Sequence, residues 1–295
     1  MEKKDFLHSV YNNITMTTII EIAAAKINLT LDVFGKRLDG YHDVSMIMQS
    51  ISLADKITLF KSQRIEMTCS NPRLPVDNRN LAFKAAELIL DGSGYGVKII
   101  LEKNIPIEAG LAGGSSDAAA VLRGIDKLYE LQKTREEMLG MAAKLGADVS
   151  FCLQGGTALA EGVGEKLTLL QALPKLWLVL IKPPYGVSTA TIYQALRVEN
   201  IKKHPDTEAM LKAIDQADRY KIIINLSNVL EEVTLLIKPE IQNIKNDLYE
   251  AGAENVLMSG SGPTVFGVFL SKEAADKAAE KIFIRHKEVY VAYTI

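Results

Sequence analysis

The chain has 295 residues, of which 48% are apolar and 24% charged, and its 34 basic and 36 acidic side chains leave a net charge of −2. This composition excludes intrinsic disorder as the general state, and the near-neutral charge excludes a generic nucleic-acid binder, which needs a basic excess. Two cysteines without a CxxC spacing exclude a disulfide scaffold, and apolar runs far shorter than about 20 residues exclude a membrane-spanning helix, so we expect a cytoplasmic protein.

The N-terminal residues do not read as a targeting signal. Residues 1–17 carry Glu2 and Asp5 and lack the apolar core and small-residue cleavage site of a signal peptide. We expect residues 1–17 to form an extension of the folded chain, with Met16 as the true start and residues 1–15 either disordered or not part of the natural protein.

Strands and helices follow in irregular order. Alternating β-branched and apolar residues predict strands over 18–34, 46–60 and 95–102. Helices are predicted over residues 80–90, capped by Asn80, and over residues 115–129. Thr134 and Glu137 form a capping box for a further helix that ends at Gly146, and a strand is predicted through residues 150–161.

Helices dominate the second half of the chain. A short strand over 176–181 precedes a helix capped by Ser188, and helices continue to Gly252. The final segments predict a strand over 265–270, a helix capped by Ser271 and a last strand over 288–294. Such mixing without regular βαβ alternation predicts an α+β fold. A change of domain is expected within residues 162–173.

The most informative segment is the glycine loop PIEAGLAGGSSD, residues 106–117. Gly110, Gly113 and Gly114 permit positive φ angles and close approach of a ligand, and Ser115 and Ser116 are expected to cap the next helix. Free N–H groups at a helix start favour anion binding over a plain strand-to-helix turn. The loop is neither a Walker A nor a GxGxxG sequence.

Other candidate residues are ambiguous when taken singly. Lys26 and Asn28 share one face of a strand, which also fits an ordinary edge-strand lysine. Asp148 follows a helix end, which also fits an Asx turn. If Asp148 and Lys26 meet, the carboxylate could accept a hydroxyl proton and the ammonium could stabilise developing charge. Tyr41-His42 is either a platform for a ring or an exposed loop pair.

Five motifs in the same order resemble one enzyme family. PIEAGLAGGSSDAAA and LMSGSGPTVFGVF resemble the nucleotide-binding and third motifs of the GHMP kinase superfamily. AAKINLTLDVFGKRLDGYHDV resembles the first motif of its 4-diphosphocytidyl-2-C-methyl-D-erythritol kinase family, as do the stretches GADVSFCL and PPYGVSTATIY. The resemblance implies a two-domain α+β fold with the active site in the interdomain cleft. Its nucleotide-binding domain would span residues 18–165 and its substrate-binding domain residues 166–295.

The resemblance also implies a reaction and its residues. ATP, accompanied by Mg²⁺, would phosphorylate the 2-hydroxyl of 4-diphosphocytidyl-2-C-methyl-D-erythritol in the non-mevalonate isoprenoid pathway, with Asp148 as base and Lys26 as its charged partner. Implied ATP-binding residues are Asn80, Leu81, Lys103, Pro106, Gly110, Leu111, Ala112, Gly113, Gly114, Ser115 and Ser116, of which Asn80, Leu81 and Lys103 lie at the adenosine end. Implied substrate-binding residues are Asn28, Tyr41, His42, Thr189 and Tyr193. Tyr41 and Tyr193 would sandwich the cytosine ring. No residue is assigned to a metal and no partner protein is implied.

Two alternatives and one departure remain at this point. The chain could be another GHMP kinase, of homoserine or mevalonate type, but those substrates give the Tyr41-His42 pair no ring to bind. It could also be a non-catalytic nucleotide-binding regulator, which would need neither Lys26 nor Asp148. Ala112 stands where many superfamily members have glycine, and alanine is less suitable there if φ is positive.

Overall fold

The computed structural model describes residues 18–295. The expected N-terminal extension of residues 1–17, including Met16, lies outside the described residues. Between residues 18 and 295, no helix is long and apolar enough to cross a membrane. The strands form one sheet of seven strands and one of four, with helices packed against them.

A long antiparallel hairpin forms the centre of the larger sheet. β1 (Thr18–Lys36) pairs with β2 (His42–Ser62) along nearly its whole length. The sheet order is β3-β4-β2-β1-β8, and β5 and β6 continue from the other end of β2. The remaining strands are β3 (Glu66–Cys69), β4 (Gly96–Glu102), β5 (Thr157–Gly162), β6 (Lys166–Leu169) and β8 (Ser227–Asn228).

The helices of the first half cover one face of this sheet and share a hydrophobic core with β1, β2, β3 and β4. They are α1 (Leu81–Leu90), α2 (Gly113–Tyr129), α3 (Arg135–Leu145) and α4 (Ala147–Gln154). Ala118, Ala119 and Ala120 of α2 are fully buried in the same hydrophobic cluster as Ile57 and Leu59 of β2. Because three small side chains follow one another, α2 can pack close to the sheet and bring its N-terminus to the strand edge.

The second sheet is antiparallel throughout, in the order β11-β7-β10-β9. Its strands are β7 (Trp177–Ile181), β9 (Asn255–Met258), β10 (Val265–Phe269) and β11 (Val289–Tyr293). The continuous apolar runs of β7, β9 and β10 are those of strands buried on both faces, whereas β11 is partly exposed. The helices of this half are α5 (Thr189–Ala195), α6 (Thr207–Asp215), α7 (Arg219–Ile224), α8 (Val229–Ile237), α9 (Ile241–Glu250) and α10 (Lys272–Phe283), with a 3-10 turn at Val198–Asn200.

The two halves share strands and core. β8 runs parallel to β1, with Thr30 opposite Ser227, and a bridge joins Ile51 to Thr294. β6 lies beyond the expected domain boundary at residue 165 and still pairs with β5 of the first sheet. The boundary itself stays a prediction.

The α+β class and most of the elements are confirmed, and one strand is wrong. Asn80, Ser188 and Ser271 cap their helices as expected, and Thr134 and Glu137 form the capping box. Residues 150–154, however, belong to helix α4, and strand β5 begins only at Thr157. The apolar run 149–153 fits a buried helix as well as a strand, and periodicity over so few residues cannot separate them.

Several short strands escaped prediction. β3, β6, β8 and β9 have two to four residues each, too few to show a period. No strand was predicted between the helices that continue to Gly252 and the strand over 265–270. β9 lies there, and the SGSGPT loop of residues 259–264 joins it to β10.

Candidate active site

A cleft of about 1070 Å³ opens where the two glycine loops meet the ends of β1, α4 and α5. It is lined by every residue that the resemblance singled out except Ser116. Those residues therefore come together in space although they are spread over more than 160 positions of the chain.

The glycine loop at 106–114 is fixed by the second glycine loop behind it. Gly110 has φ +74°, and a Cβ there would lie 2.3 Å from the carbonyl oxygen of Ser259. The Ser259 hydroxyl in turn donates to the Gly110 carbonyl oxygen at 3.0 Å. Gly113 and Gly114 do not take positive φ, whereas Ala112 does, with φ +55°. The positive φ expected for three glycines is thus right only for Gly110, and the alanine departure carries a backbone cost of about 1 kcal/mol.

Helix α2 begins two residues earlier than expected and has no side-chain cap. Its N-cap is Ala112, so Ser115 and Ser116 lie inside the first turn and the expected serine cap is wrong. The Ser116 side chain points away from the cleft, and its hydroxyl donates to the Ala24 carbonyl oxygen at 2.7 Å. The Ser116 N–H donates to the Ala112 carbonyl oxygen at 2.9 Å. The preceding N–H groups of the helix have no intrahelical acceptor, and their place at the positive end of the helix dipole suits them to bind an anion.

A buried ion cluster lies directly beneath this helix start. The Lys103 ammonium contacts a carboxylate oxygen of Asp55 and, at 2.9 Å, one of Asp117. Burial acts to lower the pKa of Lys103, but the two carboxylates outweigh it and the pKa is raised. A Cβ on Gly113 would stand only 3.1 Å from the Lys103 Nζ, so the cluster supports the loop from below.

Lys26 lies at the junction of the two glycine loops. Its side chain is only 5% exposed, and its Nζ donates to Asn28 Oδ1 at 2.8 Å, which confirms that both share one strand face. The Lys26 N–H donates to the Leu111 carbonyl oxygen at 3.1 Å, and a Cβ on Gly260 would lie 3.4 Å from Nζ. The ammonium is therefore held rigidly beside the anion site.

Asp148 stands in the first turn of α4, not in a turn after a helix. Burial raises the pKa of the Cys152 thiol, Asp148 raises it further and Lys26 lowers it, so both charges act on one thiol. Lys26 and Asp148 face the same cleft, and no ion pair within 4 Å joins them in the described part of the chain.

Aromatic rings form the other end of the cleft. The rings of His42 and Tyr193 have centroids 5.2 Å apart and are tilted by 41°. Burial, with a contribution from Lys36, lowers the pKa of His42, so its imidazole is neutral at pH 7. Burial, followed by the charge of Asp148, raises the pKa of Tyr193 to about 12. Tyr41 is 65% exposed at the rim, where its ring is free to close over a ligand.

Two further predicted residues are fixed by side-chain hydrogen bonds. The Thr189 hydroxyl lies 2.8 Å from that of Ser261, which ties α5 to the second glycine loop. Asn80 Oδ1 accepts from the Ala82 N–H at 2.9 Å and its Nδ2 donates to the Pro75 carbonyl oxygen at 2.9 Å. Asn80 thus shapes the entry to α1 and its amide is already engaged.

Sequence reasoning missed several residues of the site. Lys36, Arg73, Glu108 and Ser261 line the cleft from loops and strand ends, where single polar residues carry no pattern. Asp55 did leave a signal, because strand alternation puts it on the same face as Ile57 and Leu59, and all three are fully buried. A charge on an apolar face of a strand requires a partner, and here that partner is Lys103.

Comparisons with known proteins agree with the geometry. The GHMP kinases N terminal domain matches residues 80–156 and the GHMP kinases C terminal domain matches residues 206–287. The chain is 47% identical over 276 residues to the 4-diphosphocytidyl-2-C-methyl-D-erythritol kinase of Caldicellulosiruptor saccharolyticus, covering 92% of this chain and 95% of that protein. It is 50% identical over 254 residues to the kinase of the same name from Bacillus subtilis, covering 85% and 88%.

Solved structures give the same picture. A crystal structure of 4-(cytidine 5'-diphospho)-2C-methyl-D-erythritol kinase superposes with a TM-score of 0.81 at 35% identity, covering 94% of this chain and 99% of that one. A homoserine kinase from Cytophaga hutchinsonii has a TM-score of 0.72 at 21% identity, covering 97% and 99%, and shares the fold.

Proposed function

The chain belongs to the 4-diphosphocytidyl-2-C-methyl-D-erythritol kinases of the GHMP kinase family, and we propose how its cleft performs their reaction. The γ-phosphoryl group of ATP is transferred to the 2-hydroxyl of 4-diphosphocytidyl-2-C-methyl-D-erythritol. One observation carries the proposal. A single cleft joins an uncapped helix N-terminus, a lysine and a carboxylate beside it, and an aromatic pair at its far end.

The nucleotide lies along the first glycine loop. The N–H groups of Gly113, Gly114 and Ser115 bind phosphate oxygens, because they have no protein acceptor and the helix dipole favours an anion there. Leu81 and Lys103 lie beside this point and border the adenosine. The cytosine ring lies between Tyr41 and Tyr193, with His42 as its hydrogen-bond partner. Asn28 and Thr189 hold the part of the substrate between the cytosine and the reacting hydroxyl.

Asp148 and Lys26 act on the reacting atoms. The Asp148 carboxylate accepts the proton of the 2-hydroxyl while that oxygen forms a bond to the γ-phosphorus, and the bond to the β,γ-bridging oxygen breaks to release ADP. The Lys26 ammonium, already oriented by Asn28, stabilises negative charge on the transferred group. Positioning and charge neutralisation supply most of the acceleration in such a transfer.

Mg²⁺ would accompany ATP. The residues that the structure describes hold no group of three metal-ligating side chains, so the ion would be bound mainly by phosphate oxygens. Glu108 and Asp148 are carboxylates of the cleft that could add an oxygen ligand, the type that Mg²⁺ prefers. When bound, the ion would neutralise charge on the β- and γ-phosphates.

A substrate comparison tests the proposed function. ADP release is measured with ATP and Mg²⁺ and, in parallel, 4-diphosphocytidyl-2-C-methyl-D-erythritol, homoserine or mevalonate. We expect turnover only with the cytidyl substrate, because only it has a ring for the aromatic end of the cleft. Turnover with homoserine or mevalonate would discard the cytosine site while keeping the phosphate loop. ATP binding without turnover of any of the three would identify a regulator.

A further inference from the structure

The ion cluster beneath the phosphate loop has an uneven charge. Asp55, Lys103 and Asp117 have side chains that are 0%, 4% and 3% exposed, so water screens none of them. Two carboxylates share a single ammonium, and the fully ionised cluster would carry a net charge of −1. Such a buried excess charge is costly, and the group normally gives it up by binding a proton.

The two carboxyl groups are not equivalent. Asp55 Oδ1 accepts two backbone N–H groups, of Asn104 at 2.5 Å and Ile105 at 2.8 Å, while its Oδ2 contacts the ammonium. Asp117 contacts the same ammonium through Oδ2, but its Oδ1 is buried and has no hydrogen-bond partner among residues 18–295. Both oxygens of Asp55 therefore have hydrogen-bond donors, and Asp117 is the carboxyl that keeps a proton.

The surroundings of Asp117 support that assignment. Burial raises the pKa of its carboxyl to about 8, the Lys103 charge opposes this shift, and the nearby Asp55 carboxylate adds to it. The remaining titratable group near the cluster is the half-buried Cys69 thiol, whose own pKa is raised by burial and which stays neutral near pH 7. Nothing else among the described residues that face Asp117 supplies a second positive charge.

The charge of this cluster acts directly on the phosphate site. Asp117 belongs to the first turns of α2, four residues after Gly113, and lines the cleft. The Lys103 Nζ lies just under Gly113, whose N–H is one of the free donors. A net negative charge here would oppose both the helix dipole and the phosphates, and in this partly buried setting a single charge can change affinity by about tenfold.

We infer that Asp117 is a positioning residue for ATP that works as a neutral carboxylic acid, keeping the cluster under the phosphate loop free of net charge. The inference rests on the proposed function, because it assumes that ATP binds at this loop. Loss of the proton leaves a buried charge of −1 beneath the phosphates, and ATP binding weakens. A purely structural role for Asp117 would instead give a defect that is equal at every pH.

Calorimetric binding of ATP with Mg²⁺ tests the inference between pH 7 and pH 9.5. The variants are Asp117→Asn, which imitates the neutral acid, and Asp126→Asn as a matched control on the same helix, where Oδ1 only accepts the Lys133 N–H. Between pH 7 and pH 9.5, the dissociation constants of wild type and Asp126→Asn, each divided by that of Asp117→Asn at the same pH, should rise about tenfold. A ratio that stays constant with pH would overturn the inference.

Two further measurements test the protonation of Asp117 independently of ATP binding. The ¹³C signal of the Asp117 carboxyl in the wild-type chain should titrate well above pH 7, and titration near pH 4 would also overturn the inference. The pKa of Asp117 is about 8 in the folded state and 3.8 ordinarily, so between these values the folded state keeps a proton that the unfolded state loses. The stability of wild type relative to Asp117→Asn should therefore fall from about pH 4 to pH 8 and then level off. Absence of any ATP binding by wild type would reject the proposed function instead.

Discussion

The two ends of the cleft are built differently. At the nucleotide end, backbone and buried side chains hold one another: Gly110 touches Ser259, and Lys103 joins two carboxylates under Gly113. At the substrate end, Tyr41 is 65% exposed and Lys36 has no carboxylate partner within residues 18–295. We therefore expect the proposed phosphate site to be preorganised and the proposed cytosine site to become ordered when the substrate binds.

This difference assigns distinct tasks to the two ends. The side chains and backbone of a rigid anion site are already ordered in the folded protein, so phosphates bind there with little further loss of conformational entropy. We expect the exposed Tyr41 ring to close on the base and so to add specificity that the phosphate loop alone cannot give. Changes at one end should leave binding at the other end nearly intact, and the following predictions test that independence.

The largest effect is expected where the two ends meet. Asp148→Asn removes the proton acceptor but keeps the shape of the side chain, so kcat should fall about 1000-fold. Dissociation constants for ATP and for the cytidyl substrate should change less than threefold, since neither end is altered. Steady-state kinetics combined with calorimetry checks both parts. An equal loss of ATP affinity would show that Asp148 serves binding and not proton transfer.

Gly110→Ala should break the nucleotide end alone. The new Cβ would meet the Ser259 carbonyl oxygen at 2.3 Å, at a φ of +74° that alanine disfavours. A strain of about 2 to 3 kcal/mol should weaken ATP binding by up to about 100-fold, while cytidine binding stays constant. Gly140→Ala is the matched control, because a Cβ there meets nothing within 4 Å. Loss of cytidine binding in the Gly110 variant would show that the two ends are coupled.

The sequence was sufficient to predict the strands whose apolar residues alternate regularly and the helices that begin at a strong N-cap. The β1–β2 hairpin and the Asn80 and Thr134 caps follow from local rules. The start of α2 did not follow, because two serines favour a cap locally, whereas the contact of Ser116 with Ala24 is tertiary. That error matters for function, since a serine cap would have occupied the N–H groups that the phosphates need.

The residues of the site were found unevenly for the same reason. Family motifs predicted roles for Lys26 and Asp148, but no spacing rule shows that residues 122 positions apart in the sequence line one cleft. Asp55 and Asp117 could have been suspected from a buried strand face and a glycine loop. Their common partner, Lys103, is evident only from the packing of β2 against β4.

Tyr193→Ala should affect the substrate end alone. The ring packs beside His42, and loss of one stacking surface costs about 2 kcal/mol, or roughly 30-fold in affinity for cytidine. ATP binding should not change. Tyr193→Phe is the control, because it keeps the ring and removes only a hydroxyl that is neutral well above pH 7. If Tyr193→Phe were as weak as Tyr193→Ala, the hydroxyl and not stacking would hold the substrate.

Lys36→Gln should give the smallest and most selective effect. Lys36 lines the cleft and lies opposite His42 at the end of the hairpin, close enough to lower the pKa of the imidazole. Its free ammonium is suited to the diphosphate that follows the cytidine. The substitution should weaken CDP about fivefold, as for a partly exposed charged contact, and leave cytidine unchanged. Lys84→Gln, an exposed lysine outside the cleft, should change neither ligand. CDP and cytidine differ only in the diphosphate. Equal weakening of both ligands would therefore show that Lys36 acts on binding of the base, through its neighbour His42, and does not bind the diphosphate.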